Sequence, residues 1–362
     1  MKSQYVLKRR RRIIISGGGT GGHFYPAMAI SSFLKNKGFN IFYIGAQRGI
    51  EKLKIDSFEL EHILLNAKGW NRNSFLSIFS ALFLLISNII KLFFIFRKQR
   101  PSLVICTGGY SSIAAGSAAA LLGIPLYLQE QNAFPGLTNR VLSIFAKRIF
   151  ISFENALLYF PLNTKFVRNK TIDCFNPVRE YFKDSKKNNI FLFTGGSQGS
   201  STINRLFLKM KNVILANNYK IILICGSRFY KDYSKYSNDK IKVLEYTEKP
   251  WEFMNKSKFI VSRCGALSIS EIVYSCNVSV LIPYPFASGN HQYYNSELLI
   301  NNNSGIRLSD NEIDDIDEIN LLNTLKNSYN DYYKNIQRLK IKILKRDFFK
   351  VIDNCINEDI KL

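Results

Sequence analysis

Ile13-Ile14-Ile15-Ser16-Gly17-Gly18-Gly19-Thr20-Gly21-Gly22-His23 decides the fold. Three β-branched apolar residues run straight into five glycines, and a helical pattern then extends from Pro26 to about Lys37. A strand that enters a glycine turn and leaves as a helix is the first half of a βαβ unit. The same grammar recurs. Leu103–Cys106 runs into Thr107-Gly108-Gly109-Tyr110 and a small-residue helix over 111–122. Ile190–Phe193 runs into Thr194-Gly195-Gly196-Ser197-Gln198-Gly199, then a helix over 203–215. Further strands are read at 41–44, 125–129, 220–225, 242–245, 259–262 and 279–282, with a helix over 268–276 after Arg263-Cys264-Gly265. Alternating strands and helices predict an α/β protein with a doubly wound parallel sheet in each half.

The halves divide near Asn176-Pro177-Val178-Arg179 and the polar run 183–189. The expected domains are 1–178 and 179–340, with a charged helical tail over 341–362. A chain of 362 residues with 46% apolar and 21% charged residues can fill two cores. Lysine and arginine number 50 against 27 acidic residues, a net charge of +23. That field favours anionic lipid, phosphorylated substrates or nucleic acid, but no interleaving of basic and aromatic residues forms a nucleic-acid module. Six scattered cysteines without a CxxC pair fit neither a zinc site nor a disulfide framework and point to a reducing compartment. The basic run Arg9–Arg12 leads into a strand too short to be a signal peptide.

Phe75 to Phe96 is the most apolar stretch. About 20 residues would span a bilayer. Asn73, Ser77, Ser80, Ser87, Asn88, Lys91 and Lys98 fall on one arc at 100° per residue, however, which suits a helix half-buried in protein or lying in a headgroup layer. Lys68, Arg72, Lys91, Arg97, Lys98 and Arg100 flank it with positive charge. One or two buried core helices, peripheral membrane contact and a true span all remain open on this pattern.

Glycine turns let backbone N–H groups approach a phosphate, and a helix N-terminus adds positive potential. Gly17, Gly19 and Gly22 satisfy G-x-G-x-x-G, but the second strand ends Ile44-Gly45-Ala46 with no carboxylate until Glu51. The acid that would hold a dinucleotide ribose is missing there, and no Gly-Lys-Ser/Thr loop supports ATP hydrolysis. Three glycine turns in two similar halves predict a diphosphate held in a cleft between domains.

The ordered set Gly18–His23 with Pro26, Gly108-Gly109-Tyr110, Glu130-Gln131-Asn132 with Gly136–Asn139, Asn176–Arg179, Gly195–Gly199, Ser262–Glu271, and His291-Gln292 with Asn295 resembles the MurG family. Members transfer N-acetylglucosamine from UDP-GlcNAc to lipid I, giving lipid II for peptidoglycan. The resemblance implies a GT-B architecture whose final helix crosses back to the first domain. It also implies peripheral association with the cytoplasmic face of the inner membrane, beside other cell-wall synthesis proteins. Gln129 stands where His is common, Phe175 where Gly is usual, and Cys264 where a small residue is usual.

Two readings of His23 stand: the general base for the acceptor hydroxyl, or a contact to acceptor or phosphate. Glu130 is the rival base. Thr20, Gly21 and Gly22 would contact the diphosphate region or the acceptor phosphates. The resemblance implies that Asn132 binds the donor sugar, Arg179 and Ser197 the diphosphate, and Thr247 the uracil. Ala266, Leu267, Ser268, Ile269 and Ser270 would surround the ribose and phosphate, Glu271 would accept the ribose hydroxyls, and His291 and Gln292 would reach donor hydroxyls. No Asp-x-Asp pair follows a strand, so neither metal nor cofactor is expected. A diacylglycerol acceptor and a non-catalytic membrane scaffold are the competing readings.

Overall fold

The computed structural model describes residues 11–66, 75–161, 164–178, 186–196 and 198–360. The chain forms two compact units, Met1–Arg179 with Arg346–Leu362, and Glu180–Lys345.

Unit 1 holds seven strands: β1 (Arg12–Ser16), β2 (Asn40–Ala46), β3 (Glu61–Leu65), β4 (Leu103–Cys106), β5 (Leu126–Glu130), β6 (Arg148–Ile151) and β7 (Thr171–Asp173). All pair in parallel in the order β3-β2-β1-β4-β5-β6-β7. The chain therefore winds outward one way from β1 through β3 and then restarts on its other side at β4. In such sheets ligands settle at the carboxyl ends of the strands where winding reverses. The turns after β1 and β4 are the first two glycine loops.

Unit 2 repeats the plan with β8 (Asn188–Thr194), β9 (Lys220–Ile224), β10 (Ile241–Leu244), β11 (Ser257–Ser262), β12 (Val278–Leu281) and β13 (Gly305–Arg307). These six are parallel in the order β10-β9-β8-β11-β12-β13. Its reversal lies between β8 and β11, below Gly195–Gly199 and Arg263–Gly265. The fold class expected from the sequence, two Rossmann-like parallel-sheet units, is the one observed.

Central strands carry near-continuous apolar runs because both faces are covered. Ile13, Ile14 and Ile15 are fully buried, as are Leu103, Val104 and Ile105. Ile13 and Ile15 pack with Phe24, Tyr127 and Phe150 on one face of the first sheet, together with Phe348, Ile352 and Ile356. Those last three belong to the helix Phe348–Asp359, whose Asp359 accepts bonds from Tyr127 (2.6 Å) and Arg148 (3.0 Å). On the other face, Ile14 and Val104 pack with Leu92 and Phe96. All six cysteines are buried, and none is in a disulfide.

Leu92 and Phe96 lie on the helix Phe75–Gln99, which rests on unit 1 through Ala81, Asn88, Leu92 and Phe96. Its other face is open, with Phe79 66%, Phe83 68% and Phe94 64% exposed, and with Leu82, Ile86 and Ile90 beside them. Among the described residues, Phe79–Gln99 is the one helix long and apolar enough to cross a membrane, but only 22% of it is buried in protein. The expected polar arc needs correction at Asn88. Its side chain turns inward and donates to the Asn66 carbonyl at 3.0 Å. The expected arc residues Asn73 and Ser77, and the flanking Lys68 and Arg72, are not among the side chains described.

Candidate active site

The first glycine loop begins its helix earlier than Pro26: the helix spans Gly21–Asn36, so Gly21, Gly22 and His23 are its first turn. Thr20 takes the N-cap position with extended backbone but makes no capping bond, and no acidic residue lies in the first turn. The His23 N–H donates to the Thr20 carbonyl at 3.2 Å, no capping side chain meets the Gly21 and Gly22 amides, and the helix dipole at this end favours an anion.

The loops after β1 and β4 lie against each other. Gly18 N–H donates to the Gly108 carbonyl at 3.3 Å. A Cβ at Gly109 would overlap the Gly18 carbonyl, and one at Gly17 would overlap Thr107 Oγ1. Gly108 and Gly109 also hold φ of 104° and 85°, where a side chain is strained.

His23 sits at this contact. Its Nδ1 is 2.9 Å from the Thr107 carbonyl and 3.1 Å from Gln131 Oε1. A carbonyl only accepts, so Nδ1 carries the proton and Nε2 keeps its lone pair. Gln131 is itself fixed by donating to the Thr107 carbonyl at 2.8 Å and to Gln129. The ring can take a proton at Nε2 without turning.

Glu130, at the end of β5, is fully buried. One oxygen accepts the Asn132 N–H at 2.9 Å, and the other accepts from Gly136 N–H (3.0 Å) and Asn139 (2.9 Å). This carboxylate organises the loop that carries Asn132. Gln129 bonds Asn176 at 3.2 Å, so the Asn176-Pro177-Val178 segment is tied to β5.

One residue escaped the sequence reading of the site. Glu51, noted there only as too distant for a dinucleotide acid, is fully buried, and its Oε1 accepts Gly19 N–H at 2.6 Å and Ala46 N–H at 3.2 Å. It holds the first glycine loop from below. The signal was present, as an acid a few residues past the second strand, but nothing local says that it turns back to β1.

In unit 2 the helix Ser201–Ala216 follows Gly195–Gly199, with Ser200 as N-cap accepting Ile203 N–H. A Cβ at Gly199 would overlap the Cys225 carbonyl, so this loop lies against the end of β9. Arg263 braces it, donating to Ser200 (3.0 Å), Thr202 (2.9 Å), the carbonyls of Ile282 and Pro283 (3.2 Å each), and the Asp310 carboxylate. Asp310 sits below the usual carboxylate range: burial raises it, and the Arg263 and Thr202 bonds outweigh that. Neither Arg263 nor Asp310 stood out from the sequence as a brace.

The helix over Ala266–Ser275 starts two residues earlier than expected, which puts Glu271 at its sixth position, past the first turn. Burial pushes the Glu271 carboxyl up to about 7. Gln292 Oε1 accepts Cys264 N–H (3.2 Å) and Tyr284 N–H (3.0 Å), which ties the helix His291–Ile300 to the turn after β11. Asn295 donates to the Cys264 carbonyl at 3.1 Å. His291 bonds the Ser288 carbonyl at 2.8 Å. Thr247 lies past β10, two strands out from β8, with its hydroxyl accepting Lys249 N–H at 3.1 Å. Thus Ala266–Glu271 and Gln292 gather at the reversal with Gly195–Gly199, while Thr247 stands at the edge. Arg179 and Ser197 lie outside the described residues. Among the described residues there is no cluster of three or more His, Cys, Asp and Glu that could hold a metal ion.

Replacing Glu51 with Ala leaves the buried Ala46 N–H without its acceptor, at about 1–3 kcal/mol, and releases the exposed Gly19 N–H to solvent. Thermal melting of E51A should fall by several degrees while E51Q, which keeps an acceptor oxygen, loses less. Equal melting of wild type and E51A would show that the carboxylate does not hold the loop.

Residues 13–151 match the glycosyltransferase family 28 N-terminal domain, and residues 190–353 match the family 28 C-terminal domain. A protein of Sulfurihydrogenibium sp. (strain YO3AOP1) is 34% identical over 288 residues, 77% of this chain and 80% of that one. A protein of Flavobacterium psychrophilum is 32% identical over 356 residues, 93% and 95% of the two chains. Both are called UDP-N-acetylglucosamine–N-acetylmuramyl-(pentapeptide) pyrophosphoryl-undecaprenol N-acetylglucosamine transferase. The crystal structure of Acinetobacter baumannii MurG has a TM-score of 0.73 at 22% identity, covering 97% of this chain and all of that one. That of the Streptomyces sp. SF2575 glycosyltransferase SsfS6, complexed with thymidine diphosphate, has a TM-score of 0.66 at 13% identity, covering 95% and 99%. The chain is a glycosyltransferase of family 28 and belongs, within it, to the MurG family of N-acetylglucosamine transferases.

Proposed function

We propose that this chain transfers N-acetylglucosamine from UDP-GlcNAc to the 4-hydroxyl of the N-acetylmuramyl residue in lipid I, giving lipid II and UDP. The observation that carries this reading is similarity along 93% of the chain to a relative bearing that activity in its name. The names of the relatives lend nothing to a diacylglycerol acceptor or to a scaffold without activity.

In this reading unit 1 takes the acceptor and unit 2 the donor. The amides of Thr20, Gly21 and Gly22 meet the acceptor's phosphates at the helix N-terminus. His23 Nε2 takes the hydroxyl proton as that oxygen attacks the anomeric carbon. The bond from that carbon to the β-phosphate oxygen breaks on the opposite side, so the configuration inverts from α to β. The departing UDP carries the new negative charge, which the N–H groups of Gly195–Gly199, Ser197 and Arg179 meet. Glu271 as a carboxylate accepts both ribose hydroxyls, Ala266–Ser270 line the ribose and phosphate, and Thr247 meets the uracil. Asn132, His291 and Gln292 contact the sugar. In this reading Glu130 shapes the Asn132 loop, which its hydrogen bonds to Asn132, Gly136 and Asn139 support, and His23 is the base.

Labelled UDP-GlcNAc and a lipid I analogue should yield disaccharide lipid. H23A should lower kcat by about 100-fold or more, the usual scale of a general base, with little change in the donor KM. The donor KM should fall as pH rises through about 7, because Glu271 deprotonates there, and E271Q should flatten that profile. Absence of product while UDP still binds would defeat the reading.

The same reading places the protein peripherally on the cytoplasmic face of the inner membrane. Phe79, Phe83, Ile86, Ile90 and Phe94 form the exposed apolar stripe, and Lys91, Arg97 and Lys98 supply positive charge. Sedimentation with anionic vesicles should weaken about tenfold in F79S/F83S/F94S. Unchanged sedimentation would remove this helix from the membrane contact.

A further inference from the structure

Beside the first glycine loop lies a cavity of about 550 Å³ lined by Gln47, Arg48, Lys52, Leu64 and Asn66. Its size is that of a small-ligand site. No role read from the sequence falls on any of these residues. The walls are fixed by the sheet: Gln47 N–H donates to the Leu65 carbonyl at 2.8 Å, and the Asn66 carbonyl accepts Asn88 at 3.0 Å. Arg48 and Lys52 are exposed. Among the described residues, neither is paired with a carboxylate. The single acid on the segment, Glu51, is buried and turned to Gly19. Two unpaired cations at a concave, partly apolar wall make a site for an anion attached to an uncharged chain.

The cavity adjoins the acceptor loop directly. Glu51 links its short helix, Glu51–Lys54, to Gly19 at 2.6 Å, and a Cβ at Gly49 would lie 2.9 Å from the Gly19 carbonyl. A molecule whose phosphates meet Gly21 and Gly22 can extend past Gly49 into this space. We propose that the cavity is a second acceptor subsite, in which Arg48 and Lys52 take the carboxylates of the acceptor's peptide arm while Leu64 meets its aliphatic side chains. This rests on the transfer reading above. The relatives' name gives the acceptor a pentapeptide, and a peptide ends in a carboxylate that is ionised at neutral pH.

The test compares R48A/K52A with wild type on two lipid-linked acceptors. One carries the peptide, and the other keeps the pyrophosphate but has an uncharged amide in place of the peptide. The variant should raise KM for the peptide-bearing acceptor about tenfold, the scale of a lost charge-assisted bond. KM for the truncated acceptor and for UDP-GlcNAc should stay at the wild-type values. An equal rise on both acceptors would assign the cations to the pyrophosphate or to the fold, and no rise on either would leave the cavity without this ligand; each result overturns the proposal. Wild type inactive on both acceptors would remove the transfer reading, and this inference with it.

Discussion

Close packing of the glycine turns at the carboxyl ends of the central strands is the constraint on which this structure depends. Neighbouring turns and side chains approach these glycines so nearly that no side chain of their own would fit. Gly17 lies against Thr107, Gly109 against the Gly18 carbonyl, and Gly199 against the Cys225 carbonyl, each too close for a Cβ. In the first sheet these contacts fall at the strand pair where winding reverses, β1 with β4; in the second, Gly199 meets the end of β9, and Arg263 after β11 reaches Ser200 after β8 at 3.0 Å.

Buried charges hold the turns in shape from beneath. Glu51 takes the Gly19 amide, Glu130 takes the amides of Asn132 and Gly136, and Arg263 ties Ser200 to Asp310 and to the end of β12. Each makes several hydrogen bonds at once, the condition under which burial of a polar group is tolerated, although the second oxygen of Glu51 meets no donor among the described residues. Removing such a group loosens a loop as well as deleting a bond. The histidine follows the same logic. Thr107 and Gln131 set its tautomer before any substrate arrives, so the basic nitrogen is the one left over.

The sequence carried the central architecture clearly, because doubly covered strands have to be apolar runs. Leu103–Cys106 spans the residues expected, β1 begins one residue earlier than expected, and β8 begins two residues earlier and ends one later. β3, β6, β7 and β13 were not legible: they are three to five residues long, β7 and β13 carry no apolar run, and the short runs Ile63–Leu65 and Ile149–Ile151 of β3 and β6 lead into no glycine turn. The first helix starts at Gly21 although Pro26 suggested a later start; Pro26 stands at its sixth position, where it cannot donate the i→i−4 bond. Periodicity put Asn88 on the polar arc without saying what it meets, and its partner is a carbonyl 22 residues away. Glu51 and Arg263 were invisible as braces for the same reason: their partners lie 32 and 47 residues off in sequence. Motif residues of the candidate site were legible; the groups that hold those motifs in shape were not.

Amide chemical shifts of the glycines, recorded by NMR on the glycine-labelled protein during titration with UDP, test the central claim most directly. The account predicts that Gly195, Gly196, Gly199 and Gly265 move together while Gly38 and Gly123, remote from both turns, stay in place. Shifts confined to glycines away from the β8 and β11 ends, with the Gly195–Gly199 amides unmoved at saturating UDP, would contradict it.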